Sequence, residues 1–101
     1  MKGDRQMTIK IIIERHTIPG NELILSELLM QLRAEAMKTK GYISGETLRA
    51  LHDSNKYIVI STWDSLEDWQ AWEGNENRKE IQERIDALLR GPSAHQIYVY
   101  D

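Results

Sequence analysis

The 101-residue chain has no cysteine, no phenylalanine and only two prolines. Without cysteine there is no disulfide framework and no thiolate metal site, a composition suited to a reducing compartment. Long hydrophobic runs are also missing. The N-terminal stretch MKGDRQMTIKIIIERH is too short in apolar residues, and too broken by charge, for a signal peptide or a membrane span, so a cytoplasmic protein with no membrane partner is expected. Charge of one sign is scarce as well: 13 basic residues stand against 16 acidic ones, for a formal net charge of -3. No basic stripe is present to release counterions from a phosphate backbone, so no nucleic-acid partner is expected. The three histidines, His16, His52 and His95, fit no metal-ligand spacing, and no metal site is expected. Nucleophile elbow, phosphate loop and dinucleotide fingerprint are absent too, which disfavours Rossmann dehydrogenases, kinases and zinc hydrolases.

What is present reads as one domain over residues 1–101. A domain of that length buries only about two-thirds of the surface of its unfolded chain and gains from a partner. The segment MTIKIIIERHTI is rich in β-branched residues and stops at Pro19-Gly20, which predicts a strand. From Asn21, a candidate N-cap, the period changes to 3.6, with Leu25, Leu28, Leu29, Leu32 and Ala36 on one stripe. Lys38, Lys40 and Gly41 suit the carbonyl end of that helix, which is expected over about residues 21 to 40. YISGETLRAL predicts a strand with a bulge near Gly45, HDSNK a polar turn, and YIVISTW the return strand of a hairpin. Asp64 or Ser65 caps the next helix, with Ser65 and Asp68 approximating a capping box. EGNEN predicts a kink or short break around Gly74 before Ile81, Ile85, Leu88 and Leu89 resume the stripe. HQIYVY closes the chain as a strand.

The order βαββαβ implies an α+β, ferredoxin-like fold: a four-stranded antiparallel sheet with two helices on one face. IKIIIERH, YIVISTW and QIYVY place apolar residues on both sides of their strands, so both sheet faces need cover. Helices can cover one. A second copy of the chain, pressed sheet to sheet, is expected to cover the other and make a homodimer.

All three tryptophans, Trp63, Trp69 and Trp72, fall within ten positions at the junction of a strand and a helix. Trp63 is either a pocket wall with an N–H donor or an aromatic anchor of the strand end. Trp69 and Trp72, at helical spacing, either line a pocket or pack the helix onto the sheet. His16 is the candidate general base, because an imidazole with a pKa of about 6.5 abstracts protons near neutrality; a surface or structural role is the alternative. His52 is expected in a solvated turn. Glu46 and Arg49, three apart on a strand, point to opposite faces and suit cross-strand pairing better than joint catalysis.

The stretch GYISGETLRALHDSNKYIVISTWDSLEDWQAW resembles the antibiotic biosynthesis monooxygenase family, of the dimeric α+β barrel group. The resemblance rests on Gly41, on Glu46 with Arg49, on Asp53 and Asn55, on the apolar run from Tyr57 to Thr62 ending in Trp63, and on Asp64-Ser65 with Trp69. It covers roughly residues 8 to 100. It implies a small homodimer with a pocket in each protomer between sheet and helices. It further implies a monooxygenase that oxidises a small aromatic, phenolic or quinol-like substrate with O₂ and no cofactor, the protein supplying orientation, desolvation and hydrogen bonds to a substrate anion. In that picture Trp63 stacks on or donates to the substrate, Trp69 and Trp72 shape the pocket, and Val59 lines it. Val59 stands four residues before Trp63, where aromatic-oxidising members often carry Asn. A haem-degrading branch pairs a helix Trp with a haem-ligating His ten residues beyond it; here Trp72 is followed at that spacing by Gln82. A non-catalytic small-molecule binding or assembly module on the same scaffold is the other reading.

Overall fold

The structure, a computed structural model, describes residues 7–101. Residues 1–6 of the N-terminal stretch weighed above as a leader lie outside the described residues. The elements run β1 (Ile9–His16), α1 (Glu22–Ala36), β2 (Tyr42–Ala50), β3 (Asp53–Trp63), α2 (Leu66–Glu73), α3 (Glu76–Asp86) and β4 (Ala94–Val99). The four strands form one sheet in the order β2-β3-β1-β4, antiparallel throughout. This is the expected ferredoxin-like α+β fold, with three helices in place of two because the second helical region is broken. The break falls at the predicted place. Gly74 ends α2, and the Asn75 side chain caps α3 by accepting from the Arg78 amide at 3.1 Å.

Burial follows parity. On β1 the odd positions Ile9, Ile11, Ile13 and Arg15 are buried beneath the helices, while Lys10, Ile12, Glu14 and His16 are half-buried on the opposite face. Helix α1 packs onto the odd face through Leu25, Leu28, Leu29, Leu32 and Ala36, the stripe its period predicts. Each such leucine is worth about 1.5–3 kcal/mol of burial, which outweighs an N-cap that Asn21 does not supply through its side chain. The helix-free face carries Ile12, Ile58 and Ile60 half-buried, with Leu48 and Tyr98 about half exposed. Among the described residues nothing covers it. Strand β4 pairs with β1 but is exposed along its length.

Three boundaries differ from expectation, each for a local reason. Helix α1 stops at Ala36, short of residue 40, because the amides of Lys38 and Thr39 take the i-3 carbonyls of Glu35 and Ala36 and the Thr39 hydroxyl donates to the Ala36 carbonyl at 2.7 Å. The first bulge of β2 lies at Ile43, where the register shifts between Tyr42 and Ser44, not at Gly45. Gly45 serves a different purpose: a Cβ there would meet the Tyr42 hydroxyl at 2.5 Å, so its missing side chain makes room for the ring. The hairpin turn contracts to Leu51-His52, since Ala50 already pairs with Asp53. His52 is exposed in that turn, as its neighbours suggest.

Candidate functional site

Strand β3 turns Tyr57, Val59, Ser61 and Trp63 toward the helices, because these odd positions sit opposite Arg15, Ile13, Ile11 and Ile9 of β1. Its last residue leads at once into α2, whose start is fixed by Ser65. The Ser65 hydroxyl accepts from the Asp68 amide at 3.1 Å and donates to the Asp68 carboxylate at 3.0 Å. Asp68 is buried and also 3.6 Å from Lys40. Gly41 approaches it with φ +88°, a conformation and a clearance that exclude a Cβ, which would collide with the Asp68 carboxylate. The Gly41 carbonyl accepts from the Asp64 amide at 2.8 Å. That locked corner points Trp69 and Trp72 back at Trp63.

The indoles form one cluster. Trp72 stacks on Trp63 with centroids 6.3 Å apart and planes at 24°, while Trp69 meets Trp63 edge-on at 5.8 Å and Tyr42 does so at 5.4 Å. Trp63 and Trp69 are each 1% exposed. Their donors differ. The Trp63 Nε1–H donates to the Ser61 hydroxyl at 3.0 Å, whereas the buried Trp69 Nε1–H has no partner among the described residues. Trp69 also meets His95 of β4 edge-on at 5.9 Å, and the Arg78 guanidinium lies 5.7 Å from the centre of its ring.

Beside this cluster a narrow chamber lies between sheet and helices, with a cavity volume of about 50 Å³. Val59, Ser61, Trp63, Trp69 and Trp72 line it, with Leu29 and Leu32 from α1 and Tyr42 from β2. Arg15 and Arg78 line it as well, and they also line a wider cleft between α3 and β4 with a volume of about 250 Å³. The Tyr42 hydroxyl is buried without a partner. Arg15, 1% exposed, donates from Nη2 to Gln82 Oε1 at 2.9 Å, and its Nε and Nη1 have no acceptor. Burial, and then the charge of Arg78, push its guanidinium down to about 10, with Asp86 opposing. Arg78 is lowered too, by burial, against the pull of Glu73 and Asp86.

Of the residues singled out from the sequence, Trp63, Trp69, Trp72 and Val59 come together around this chamber. His16 does not join them. It lies on the helix-free face of β1, 2.6 Å from the Glu14 carboxylate, because its parity is opposite to that of Ile13 and Arg15. Glu46 and Arg49 point to opposite faces, opposite Ile60 and Tyr57 respectively, and among the described residues neither makes an ion pair. Gln82 is held between Arg15 and Asp86, donating to the latter at 2.7 Å. Sequence reasoning passed over Arg15 and Arg78. Arg15 was detectable, since it shares the parity of Ile11 and Ile13 on a strand whose odd face is the core. Among the described residues no cluster of three or more His, Cys, Asp or Glu side chains is placed to hold a metal ion. No helix among them is long and apolar enough to cross a membrane.

No curated protein matches the sequence significantly. Solved structures do match its fold. A conserved protein from Methanosarcina mazei Go1 superposes with a TM-score of 0.89 at 16% identity, covering 100% of both chains. SnoaB, a cofactor-independent oxygenase from Streptomyces nogalater, superposes with a TM-score of 0.85 at 15% identity over 94% of each chain. PA3566 from Pseudomonas aeruginosa does so with a TM-score of 0.84 at 18% identity, over 98% of this chain and 99% of its own. At such identities the likeness shows the fold alone. The family profile described as antibiotic biosynthesis monooxygenase, however, matches residues 8–84, and those residues hold the corner and all three chamber indoles, so the chain belongs to the antibiotic biosynthesis monooxygenase family.

Proposed function

We propose that this protein is a cofactor-independent monooxygenase acting on a small aromatic, phenolic or quinol-like substrate in the chamber beside Trp63. The observation that carries this reading is an apolar, indole-walled space lined by side chains whose buried donors, above all the Trp69 Nε1–H, have no partner among the described residues. An unpartnered buried donor costs about 1–3 kcal/mol and is retained where a ligand supplies the acceptor. Family membership and the fold shared with SnoaB support the reaction type. In the reaction a ring methylene or hydroxyl loses a proton, and the electron-rich anion reduces O₂. For an anthrone methylene, one oxygen atom ends in the new carbonyl and the other leaves as water with the two methylene hydrogens. Trp63 and Trp72 stack on the ring, the Ser61 hydroxyl, which accepts from Trp63, keeps its own proton to donate, and Trp69 donates to the substrate oxygen. The chamber is narrow, so a ring enters as the exposed side chain of Arg33, which lines it, swings aside. His16 takes no part in this chamber.

The active unit is proposed to be a homodimer joined through the helix-free face, where Ile12, Leu48, Ile58, Ile60 and Tyr98 offer an apolar surface. Light scattering at micromolar concentration is expected to give twice the chain mass, and a monomer there would refute the dimer. The function is tested by O₂ uptake with a panel of anthrones and quinols, for the native protein and Trp69→Phe. Uptake that falls about 10- to 100-fold in the variant supports the reaction. Val59, which offers no donor, favours the second reading, a binding module: saturable binding of a panel member without any O₂ uptake would establish it instead.

A further inference from the structure

Arg15 and Arg78 bring more positive charge to the chamber than the chain around them neutralises. Arg15 is almost wholly buried, yet its one hydrogen bond goes to a neutral amide, Gln82 Oε1 at 2.9 Å. A glutamate there would have quenched the charge. Gln82 in turn spends its amide N–H on Asp86 at 2.7 Å, so the nearest acid acts on Arg15 at one remove. Among the described residues no carboxylate oxygen lies within 4.0 Å of either guanidinium. Three guanidinium nitrogens are left buried without an acceptor among the described residues: Nε and Nη1 of Arg15 and Nε of Arg78. Arg78 is held in place from the other side by the face of Trp69, 5.7 Å away, which attracts a cation without neutralising it. Burial lowers both guanidinium pKa values, with the charge of Arg78 adding to it at Arg15 and Glu73 and Asp86 opposing it at Arg78; Arg15, at about 10, stays charged at neutral pH, so the unfavourable charge persists in the unliganded protein. A purely structural tie between β1 and α3 would need one N–H and no charge.

We propose that the ligand of the chamber is a flat aromatic compound carrying an oxyanion, which seats between Arg15 and Arg78 while the ring lies against the indoles. This rests on the reading of the chamber as a ligand site, and it names the class of ligand. Planar guanidinium donors suit a carboxylate or an ionised ring hydroxyl, and both are charge-assisted acceptors. The two sources of the oxyanion are distinguishable. Under anaerobic conditions, so that turnover plays no part, quenching of tryptophan fluorescence is titrated with 9-anthracenecarboxylate and with its methyl ester. The visible spectrum of bound 4-nitrophenol is followed against pH, with 4-nitroanisole as the neutral control.

The carboxylate is expected to bind about 10- to 100-fold more tightly than the ester, or the bound nitrophenol to ionise at lower pH than in free solution. Whichever holds identifies the source. Arg15→Met is expected to remove the preference and raise the melting temperature of the unliganded protein, because an uncompensated buried charge is gone. Arg78→Gln, at a less buried position, is expected to weaken the preference without unfolding the chain. Equal affinity for acid and ester together with an unshifted nitrophenol would overturn the proposal, as would absence of saturable binding by these probes. A lower melting temperature in Arg15→Met with the preference intact in both variants would make the arginines structural and overturn it equally. Oxygen uptake with neutral anthrones but no anion preference would leave the monooxygenase reading standing and this one refuted; anion preference with no uptake would do the reverse.

Discussion

The corner between β3 and α2 and the chamber beside it use the same kinds of residue in opposite ways. At the corner, Ser65 caps α2 and bonds to Asp68, Asp68 faces Lys40, and the Trp63 indole donates to Ser61. A turn of helix later, Trp69 is equally buried and its N–H has nothing to bind; across the chamber Arg15 is left with two N–H positions in the same state. Satisfied polar groups specify a structure, whereas unsatisfied ones cost stability and are kept where something outside the chain completes them. Corner changes should therefore lower stability first, and chamber changes should alter binding first.

The sharpest form of that contrast is between two tryptophans of equal burial. Trp63→Ala removes a ring stacked on Trp72, edge-on to Tyr42 and Trp69, and hydrogen-bonded to Ser61; it is expected to cost about 3–5 kcal/mol in urea denaturation. Trp69→Phe keeps most of the ring and deletes an N–H that no protein group uses, so the loss should be about 1 kcal/mol or less while ligand binding falls. Comparable stability losses in the two variants would erase the distinction between corner and chamber.

Gly41 offers a smaller test on the corner alone. Alanine there adopts φ +88° at a cost of about 1–2 kcal/mol, and its Cβ also displaces the Asp68 carboxylate from its cap, worth about 1 kcal/mol more. Gly41→Ala is thus expected to lower stability by about 2–3 kcal/mol. At Gly20, where φ is +99° but a Cβ would meet nothing within 4 Å, the same change carries only the backbone cost. Equal losses at the two glycines would show that the Asp68 contact contributes nothing.

How much of this was legible in the sequence depends on whether the signal was periodic or positional. The leucine stripe of α1, the Ser65–Asp68 cap and the break at Gly74 are carried by local patterns, and they stand where those patterns put them. A bulge near Gly45 was legible, but its position at Ile43 was not, because the register is fixed only once β2 pairs with β3. The candidate site was half legible. Clustering of the indoles follows from a strand that runs straight into a helix, but the missing partner of Trp69 and the neutral partner of Arg15 are facts of three-dimensional placement. Parity alone, applied strictly to IKIIIERH, would have moved attention from His16 to Arg15, since Ile9, Ile11 and Ile13 mark the odd face as the core against Ile12 alone on the other.

The smallest effect belongs to the helix-free face, where charge is solvated instead of buried. Glu14 accepts from or shares a proton with His16 at 2.6 Å and lies 4.0 Å from Lys56, and these two partners, His16 first, hold its carboxyl below the usual 4.5. An acid whose folded pKa lies below its unfolded value adds stability that is fully present above about pH 4.5 and lost as pH falls through the folded pKa. The urea midpoint should therefore decline below pH 4.5, and Glu14→Gln should make that decline shallower without abolishing it. Glu35, lowered chiefly by its hydrogen bond to Lys38 with a smaller share from Asn77, contributes in the same direction. Exposed pairs of this kind are weak, so the change in slope is expected to be small and to fade in high salt. Measured at two protein concentrations, the same slope also bears on the proposed interface. If the helix-free face is buried between two copies, Glu14 titrates in the assembled state, and the effect of Glu14→Gln will depend on concentration. A slope that is independent of concentration over the range in which light scattering sees dissociation would place Glu14 outside the interface and confine the contact to the apolar residues around Ile12 and Ile60.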